Sequence, residues 1–309
     1  MPSMPVERGK IREYAVATAN GRPEYLDDPH PPVPPTFLAT VVFWDTISEV
    51  FDDPAAVAAL AAAGIGRGVE GLLSVEQEYV FHGPPLPRAG DVLELTRRFD
   101  GVEAKQGRRG GRMVFVRFAV EFRGADGLLR AECRYTSAQL AAAAHAVPLA
   151  SVAVTPGSVA SGPVASGPRA PRPEAPAAAA PDGLPPRRFG PITMTDIVRY
   201  QGASGDMNPM HHDDELARSA GYPAAFSVGM LSAGYLATAC TDVYGTESVR
   251  RFRTRFRDLV WRGDSLTAHG SVRGHRDEEG EHRVLLDLAL STDAGGVAVE
   301  ADAEFAVAP

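Results

Sequence analysis

"IVRYQGASGDMNPMHHDD" (residues 197–214) aligns without a gap on "IREYAVATANGRPEYLDD" (residues 11–28). Ile11 meets Ile197, Tyr14 meets Tyr200, Ala17 meets Ala203, Pro23 meets Pro209, and Asp27-Asp28 meet Asp213-Asp214. Further on, "RAGDVLEL" (88–95) answers "WRGDSLTA" (261–268), and each half then closes with two β-rich runs. Repetition of this kind implies one supersecondary plan used twice. Between the halves, from Ala141 to Pro186, the chain is almost entirely Ala, Pro, Gly, Ser and Val, with no aromatic residue and no periodic apolar face. Such a segment cannot offset its ordering entropy and reads as a partly extended tether. The expected organisation is an N-terminal domain over 1–140, a linker over 141–187 and a C-terminal domain over 188–309.

Within the second half the pattern predicts a helix across Thr195–Tyr200, capped by a threonine, then the polar run, then a short helix from Asp213 to Ala220 stopped by Gly221. "SVGMLSAGYLATACTDVYG" (227–245) is small and apolar on every side, which predicts a buried helix ending near Gly245. Strand-like runs follow at 251–260, 265–275, 282–292 and 297–307. The first half offers a helix at 11–19 and an apolar stretch at 36–44. It also has an Ala-rich helix in "DPAAVAALAAAG" (53–64), with Asp53 as cap, Pro54 at its first position and Gly64 past its end. Its strands fall at 71–81, 92–99, 112–123 and 128–139. A buried helix followed by consecutive antiparallel strands implies an α+β layer whose sheet wraps one central helix.

Bulk properties bound the function. A chain of 309 residues is long for one domain and comfortable for two. Apolar residues at 44% and charged residues at 23% fit a soluble globular protein. A net charge of -8 argues against a general nucleic-acid or membrane-surface binder. Cys133 and Cys240 give no disulfide framework, and Cys240 sits among small apolar residues as packing. "MPSMPVERGK" (1–10) lacks the apolar core of a signal peptide, and no apolar run approaches a membrane span. The expected location is the cytoplasm.

The polar run carries the chemistry. Pro209 disfavours helix at Asn208, Gly205 lets the backbone pass closely, and Asn208 can bond back to the backbone to hold a turn. Asp206 and His211 are five residues apart with that bend between them, so their heads can converge on one water and move its proton. On spacing alone the same run also reads as a capped turn with a solvated aspartate. Adjacent His211 and His212 followed by two aspartates suggest metal ligands at first glance. Neighbouring residues point apart, however, and no Cys or distant His-rich motif completes a set, so no metal or cofactor is implied. His212 is expected to face solvent or cap the following helix.

"YQGASGDMNPMHHDDELARSAGYPAAFSVGML" (200–231) resembles the signature of the MaoC-like, (R)-specific enoyl-CoA hydratases, from a tyrosine through Ser-Gly-Asp-x-Asn-Pro-x-His to a Gly-Met pair. The likeness extends through "RFRDLVWRGDSL" (255–266) and covers most of residues 190 to 307. The first half resembles the N-terminal hotdog that accompanies such domains, with "REYAVATANGRPEYLDD" (12–28) and "PPTFL" (34–38) carrying the likeness. The resemblance implies an α+β double hotdog, two antiparallel sheets each wrapping a central helix. It implies a hydratase or dehydratase of fatty acid metabolism acting on acyl-CoA or acyl-carrier-protein thioesters, with no nucleic acid or membrane partner and a homodimer of double-hotdog chains as the expected assembly. Carried over, the acid/base pair falls on Asp206 and His211, and the oxyanion-hole glycine on Gly229 at the start of the central helix. A backbone N–H at a helix N-terminus is a pre-oriented donor for the charge that builds on a thioester oxygen.

The family usually has histidine before its Gly-Met pair, and here the residue is Val228. Asn208, Val228, Met230, Arg253 and Arg255 are expected to line the substrate site. Arg251, Arg253, Arg255 and Arg257 share one strand face, and "KQGRRGGR" (105–112) makes a basic loop. The phosphates of coenzyme A would suit either patch, while solvated strand faces and turns are the plainer account. In the first half Asp206 becomes Asn20 and His211 becomes Tyr25. An amide does not titrate and a phenol titrates near 10, so that half keeps the frame without the pair and is expected to shape the acyl pocket. Two other readings remain open: a hotdog thioesterase, and a non-catalytic acyl-thioester-binding module.

Overall fold

A computed structural model describes residues 2–44, 47–65, 73–106, 112–140 and 183–308. The expected linker lies outside the described residues up to position 182, as do residues 107–111 of the basic loop. The first half comprises β1 (Ser3–Pro5), α1 (Arg8–Ala17), α2 (Pro23–Leu26), α3 (Val41–Trp44), α4 (Pro54–Ala62), β2 (Leu73–Phe81), β3 (Val92–Gln106), β4 (Arg112–Arg123) and β5 (Leu129–Leu140). The second comprises β6 (Gly183–Phe189), α5 (Met194–Ser204), α6 (Asp214–Ser219), α7 (Gly229–Tyr244), β7 (Val249–Phe256), β8 (Leu266–Glu278), β9 (Glu281–Thr292) and β10 (Val297–Val307). Residues 183–187, expected in the linker, are therefore strand: β6 pairs antiparallel with β8, Phe189 opposite Leu266.

The strands lie in the order β1-β3-β4-β5-β2-β7-β10-β9-β8-β6. Exchanging each strand of one half for its counterpart, β1 for β6 through β5 for β10, returns the same order read from the other edge. The repeat seen in the sequence is thus a repeat of topology. The two expected sheets join into one: Glu76 to Val80 of β2 pair antiparallel with Arg255 to Arg251 of β7. Each half alone would leave a row of unpaired N–H and C=O groups on that inner strand, and the pairing satisfies both rows.

Only the second half has a long unbroken central helix among the described residues. In α7 every residue from Leu231 to Thr241 is buried, as expected for a helix apolar on all sides. The first half is broken into a 3-10 turn at Phe37–Thr40, α3, a second 3-10 turn at Ile47–Phe51 and α4. The break before α4 has a local cause. Pro54 disfavours helix at Asp53, whose carboxylate instead accepts from the N–H groups of Ala55 (2.8 Å) and Ala56 (3.2 Å) and starts a new helix.

One apolar core runs through both halves, from Tyr14 and Phe37 to Leu236, Phe252 and Phe305. The repeat-related helices α1 and α5 pack together, with the Tyr14 and Tyr200 hydroxyls 3.3 Å apart. Helix α7 is covered by its own sheet on one side and by the end of α1 on the other. A Cβ built on Gly234 would stand 2.4 Å from Thr18 Cγ2, so only glycine permits that approach.

Candidate active site

Helix α5 delivers the polar run. Thr193 and Asp196 form a reciprocal cap at its start, the Asp196 N–H donating to Thr193 Oγ1 (3.2 Å) and the Thr193 N–H to Asp196 Oδ2 (2.9 Å). The helix continues past Tyr200 to Ser204, because its stop is Gly205 in the left-handed region at φ 86°. Two side chains then shape the turn. Asp206 Oδ1 accepts from the Asn208 N–H at 3.2 Å, and Asn208 Oδ1 accepts from the Met210 N–H at 3.0 Å. The second bond starts the 3-10 turn Pro209–His211.

This turn brings the acid and the imidazole together. His211 is buried, and its Nδ1 lies 3.0 Å from the Phe226 carbonyl oxygen. A carbonyl can only accept, so Nδ1 carries the proton and Nε2 keeps a lone pair. That Nε2 stands 4.0 Å from Asp206 Oδ2. The gap is too long for a direct hydrogen bond and suits a small molecule touching both atoms. Burial pushes the Asp206 carboxyl above its ordinary value, outweighing the opposite pull of His211 and the Asn208 N–H. Burial pushes the His211 imidazole below its ordinary value, outweighing Asp206 and the Phe226 carbonyl. Desolvation favours a neutral acid facing a neutral base.

The same histidine is tied to the start of the central helix. Phe226, which accepts from Nδ1, also meets the His211 ring edge-on at 5.2 Å and lies three residues before Gly229. Gly229 is the first residue of α7, and its N-cap Val228 offers no side-chain acceptor to the helix N–H groups. A Cβ at Gly229 would meet the Phe256 ring at 3.1 Å. The Val228 side chain is buried, and the half-buried Met230 sits with its sulfur 3.8 Å from the Tyr79 hydroxyl. Beside the run, Ser204 and Gly205 border a cavity of about 90 Å³ whose first-half wall includes Met4, Phe37, Thr40 and Phe43.

The two aspartates that follow the histidines are structural. Asp213 caps α6, accepting from Glu215 and Leu216 N–H groups at 2.9 and 3.0 Å. Asp214 pairs with Arg262 at 2.6 Å and accepts from the Ala225 N–H at 2.9 Å, bracing the approach to α7. His212 is exposed, one of the two expected outcomes, and does not cap that helix: its Nδ1 lies 2.9 Å from Gln201 Oε1. Arg253 and Arg255 also stand elsewhere than expected. On β7 the Phe252 and Thr254 side chains are buried, and alternation places the arginines on the opposite face from Phe256 and Gly229. There Arg253 and Arg255 both pair with Glu76 of β2, at 2.8 and 2.5 Å, so they fasten the seam between the halves rather than line the site.

The aligned positions of the first half take other work. Asn20 is buried and its Nδ2 donates to Thr241 Oγ1 on α7 at 3.1 Å. Tyr25 is fully buried, and burial raises its phenol far above the ordinary value. Residues that motif reading passed over include Gln201, whose amide reaches the backbone of the turn, and Ser204, whose hydroxyl accepts from the Asp206 N–H at 3.2 Å. The internal alignment held a signal for the first, since Gln201 faces Ala15 there.

Residues 179–293 match the family described as MaoC like domain, and residues 2–129 match the FAS1-like dehydratase domain region. The (R)-specific enoyl-CoA hydratase of Rhodospirillum rubrum is 29% identical over 118 residues, which is 38% of this chain and 80% of that protein. A solved structure described as a MaoC-like dehydratase superposes with a TM-score of 0.73 at 20% identity, covering 99% of this chain and 96% of that one. A Mycobacterium tuberculosis protein described as having a double hotdog fold superposes with a TM-score of 0.62 at 13% identity, over 99% of this chain and 93% of that one. At such identities the two structures speak for the fold, and the fold is the double hotdog.

Proposed function

We propose, from the premise of a double hotdog whose C-terminal half is a MaoC-like dehydratase domain, that the chain adds water to 2-enoyl thioesters to give (R)-3-hydroxyacyl thioesters, or runs the reverse dehydration. The observation that supports this most directly is the buried pair Asp206 and His211, 4.0 Å apart, where burial raises the carboxyl and lowers the imidazole. In the hydration direction His211 Nε2 takes a proton from a water held between the pair, and the hydroxyl oxygen bonds to the β-carbon. The π electrons move to the thioester oxygen, where the N–H of Gly229 at the start of α7 receives the charge. The enolate then collapses and its α-carbon takes the proton from the Asp206 carboxyl. Passing the proton from His211 to Asp206 restores the resting pair. Asn208 holds the turn, while Val228 and Met230, with Tyr79 of the first half against the Met230 sulfur, shape the acyl pocket.

The test is a screen of 2-enoyl thioesters with the full chain, following loss of the conjugated absorbance together with release of free thiol. Loss of absorbance without thiol supports the hydratase. Thiol release would mark a thioesterase, and binding without either change a non-catalytic module.

A further inference from the structure

Gln201 lies in the last turn of α5, five residues before Asp206, and only 2% of its surface is exposed. Its Nε2 donates to the carbonyl oxygens of Asp206 (2.8 Å) and Asn208 (3.0 Å). Carbonyls only accept, so the amide cannot be reversed: Nε2 faces the turn and Oε1 faces His212 Nδ1, 2.9 Å away. Oε1 in turn only accepts, so His212 carries a proton on Nδ1. A chain of hydrogen bonds therefore runs from His212 through Gln201 to the backbone on both sides of Met207.

The first half shows that this chain is not needed to make the turn. Asn20 Oδ1 accepts from the Arg22 N–H at 3.3 Å, as Asp206 Oδ1 accepts from the Asn208 N–H at 3.2 Å. Ala19 has φ 55° where Gly205 has 86°, and a short helix starts at Pro23 as a 3-10 turn starts at Pro209. Yet the residues aligned with Gln201 and His212 are Ala15 and Leu26. The same turn forms in both halves, and the clamp occurs only where the turn carries an acid. The other bonds to Asp206, from the Asn208 N–H to its carboxylate and from its own N–H to the Ser204 hydroxyl, lie within the turn, and Gln201 ties that turn to α5. Gly205 is a permissive pivot, and Met207 beside it is 59% exposed. The buried carboxyl would gain hydration by swinging out.

We propose that Gln201, oriented by His212, is a positioning residue that holds Asp206 at its working distance from His211. The kinetic part of the test rests on the hydratase reading. Gln201→Met keeps the volume and removes all three hydrogen bonds. It is expected to lower kcat ten- to hundredfold with a smaller change in KM, since misplacing a reacting group by about 1 Å costs on this scale. His212→Leu should lose several-fold, and His212→Asn, whose amide can still donate to Gln201, should recover most of that loss. The double variant Gln201→Met with His212→Leu should be no worse than Gln201→Met alone, because His212 acts only through Gln201. Unchanged kcat in Gln201→Met overturns the proposal. So does a loss of activity matched by a collapse of the melting temperature, which would make the clamp a fold brace. If the wild-type chain hydrates no enoyl thioester, the hydratase reading fails and amide hydrogen exchange decides the clamp. Faster exchange at Asn208 and Met210 in Gln201→Met, with the core amides unchanged, supports it, and equal exchange overturns it.

Discussion

Asp206 and His211 both sit where burial opposes charge, and this ties activity to stability through pH. The folded-state value of Asp206 is raised above its ordinary 3.8, so its contribution is full below that value and is lost as pH rises through the raised one. The folded-state value of His211 is lowered from 6.5, so its contribution is full above 6.5 and is lost as pH falls through the lowered value. Above pH 3.8 the buried carboxyl therefore weakens the fold, because ionisation favours the unfolded chain. Asp206→Asn keeps the shape and removes the titration. It is expected to melt at or above the wild-type temperature at pH 7 while kcat/KM falls by roughly 10² to 10⁴, the usual worth of a positioned acid or base. Thermal melts at pH 5, 7 and 8.5 alongside steady-state kinetics check this. A melting temperature several degrees lower at pH 7 would mean that a stabilising ion pair has been broken instead. In the wild type the acid limb of kcat/KM should lie below 6.5, because His211 must be neutral to act and burial keeps it so.

Helices and strands were readable wherever local chemistry sets them. Asp53 with Pro54, Asp213 before α6, and Gly245 after α7 all act at the places their residue types suggest. The pattern predicts an end at Tyr200, four residues short of Ser204, because φ at Gly205 depends on packing that no local pattern carries: a Cβ there would meet Phe43 at 2.9 Å. Helix α7 shows the same dependence on distant contacts. Gly234 lies in mid-helix, where alanine would ordinarily gain up to about 1 kcal/mol. Thr18 opposes it, since it is buried and its hydroxyl donates to the carbonyls of Tyr14 (3.0 Å) and Ala15 (3.2 Å). A methyl group 2.4 Å from such a fixed side chain costs more than the propensity returns, about 1–3 kcal/mol. Gly234→Ala should therefore lower stability by a net ~1 kcal/mol or more in chemical denaturation. Thr18→Ser deletes the offending Cγ2 and keeps the hydroxyl, so the double variant should regain most of that loss. Additive losses would mean that the strain lies elsewhere.

On the scale of the whole molecule, the duplication and the bend that brings Asp206 near His211 were legible because both are written in short contiguous stretches. The continuous sheet was not. Which strands meet at the seam is decided by residues far apart in sequence, and arginines that look free along β7 find their carboxylates on β2. Glu76 holds Arg253 and Arg255, while Glu78 holds Arg251 at 2.6 Å. Thr254 Oγ1 reaches the Gln77 carbonyl at 3.3 Å on the buried face. Burial works to raise the Glu76 carboxyl, but the two guanidinium groups outweigh it and hold it below its ordinary 4.5. With Arg255 44% exposed, solvent screens this pairing, and the network contributes about 1 kcal/mol. One sheet and one core should also make one cooperative unit. Glu76→Gln is thus expected to lower the midpoint of a single thermal transition by a few degrees, without splitting it. The gap from wild type should narrow in molar salt, and also as pH falls through the lowered value of Glu76, where the wild-type carboxylate takes up its proton. Calorimetry across salt and pH makes the measurement. Two resolved transitions in either protein would show that the halves fold independently, and that the β2–β7 pairing is a contact between domains rather than the middle of one sheet.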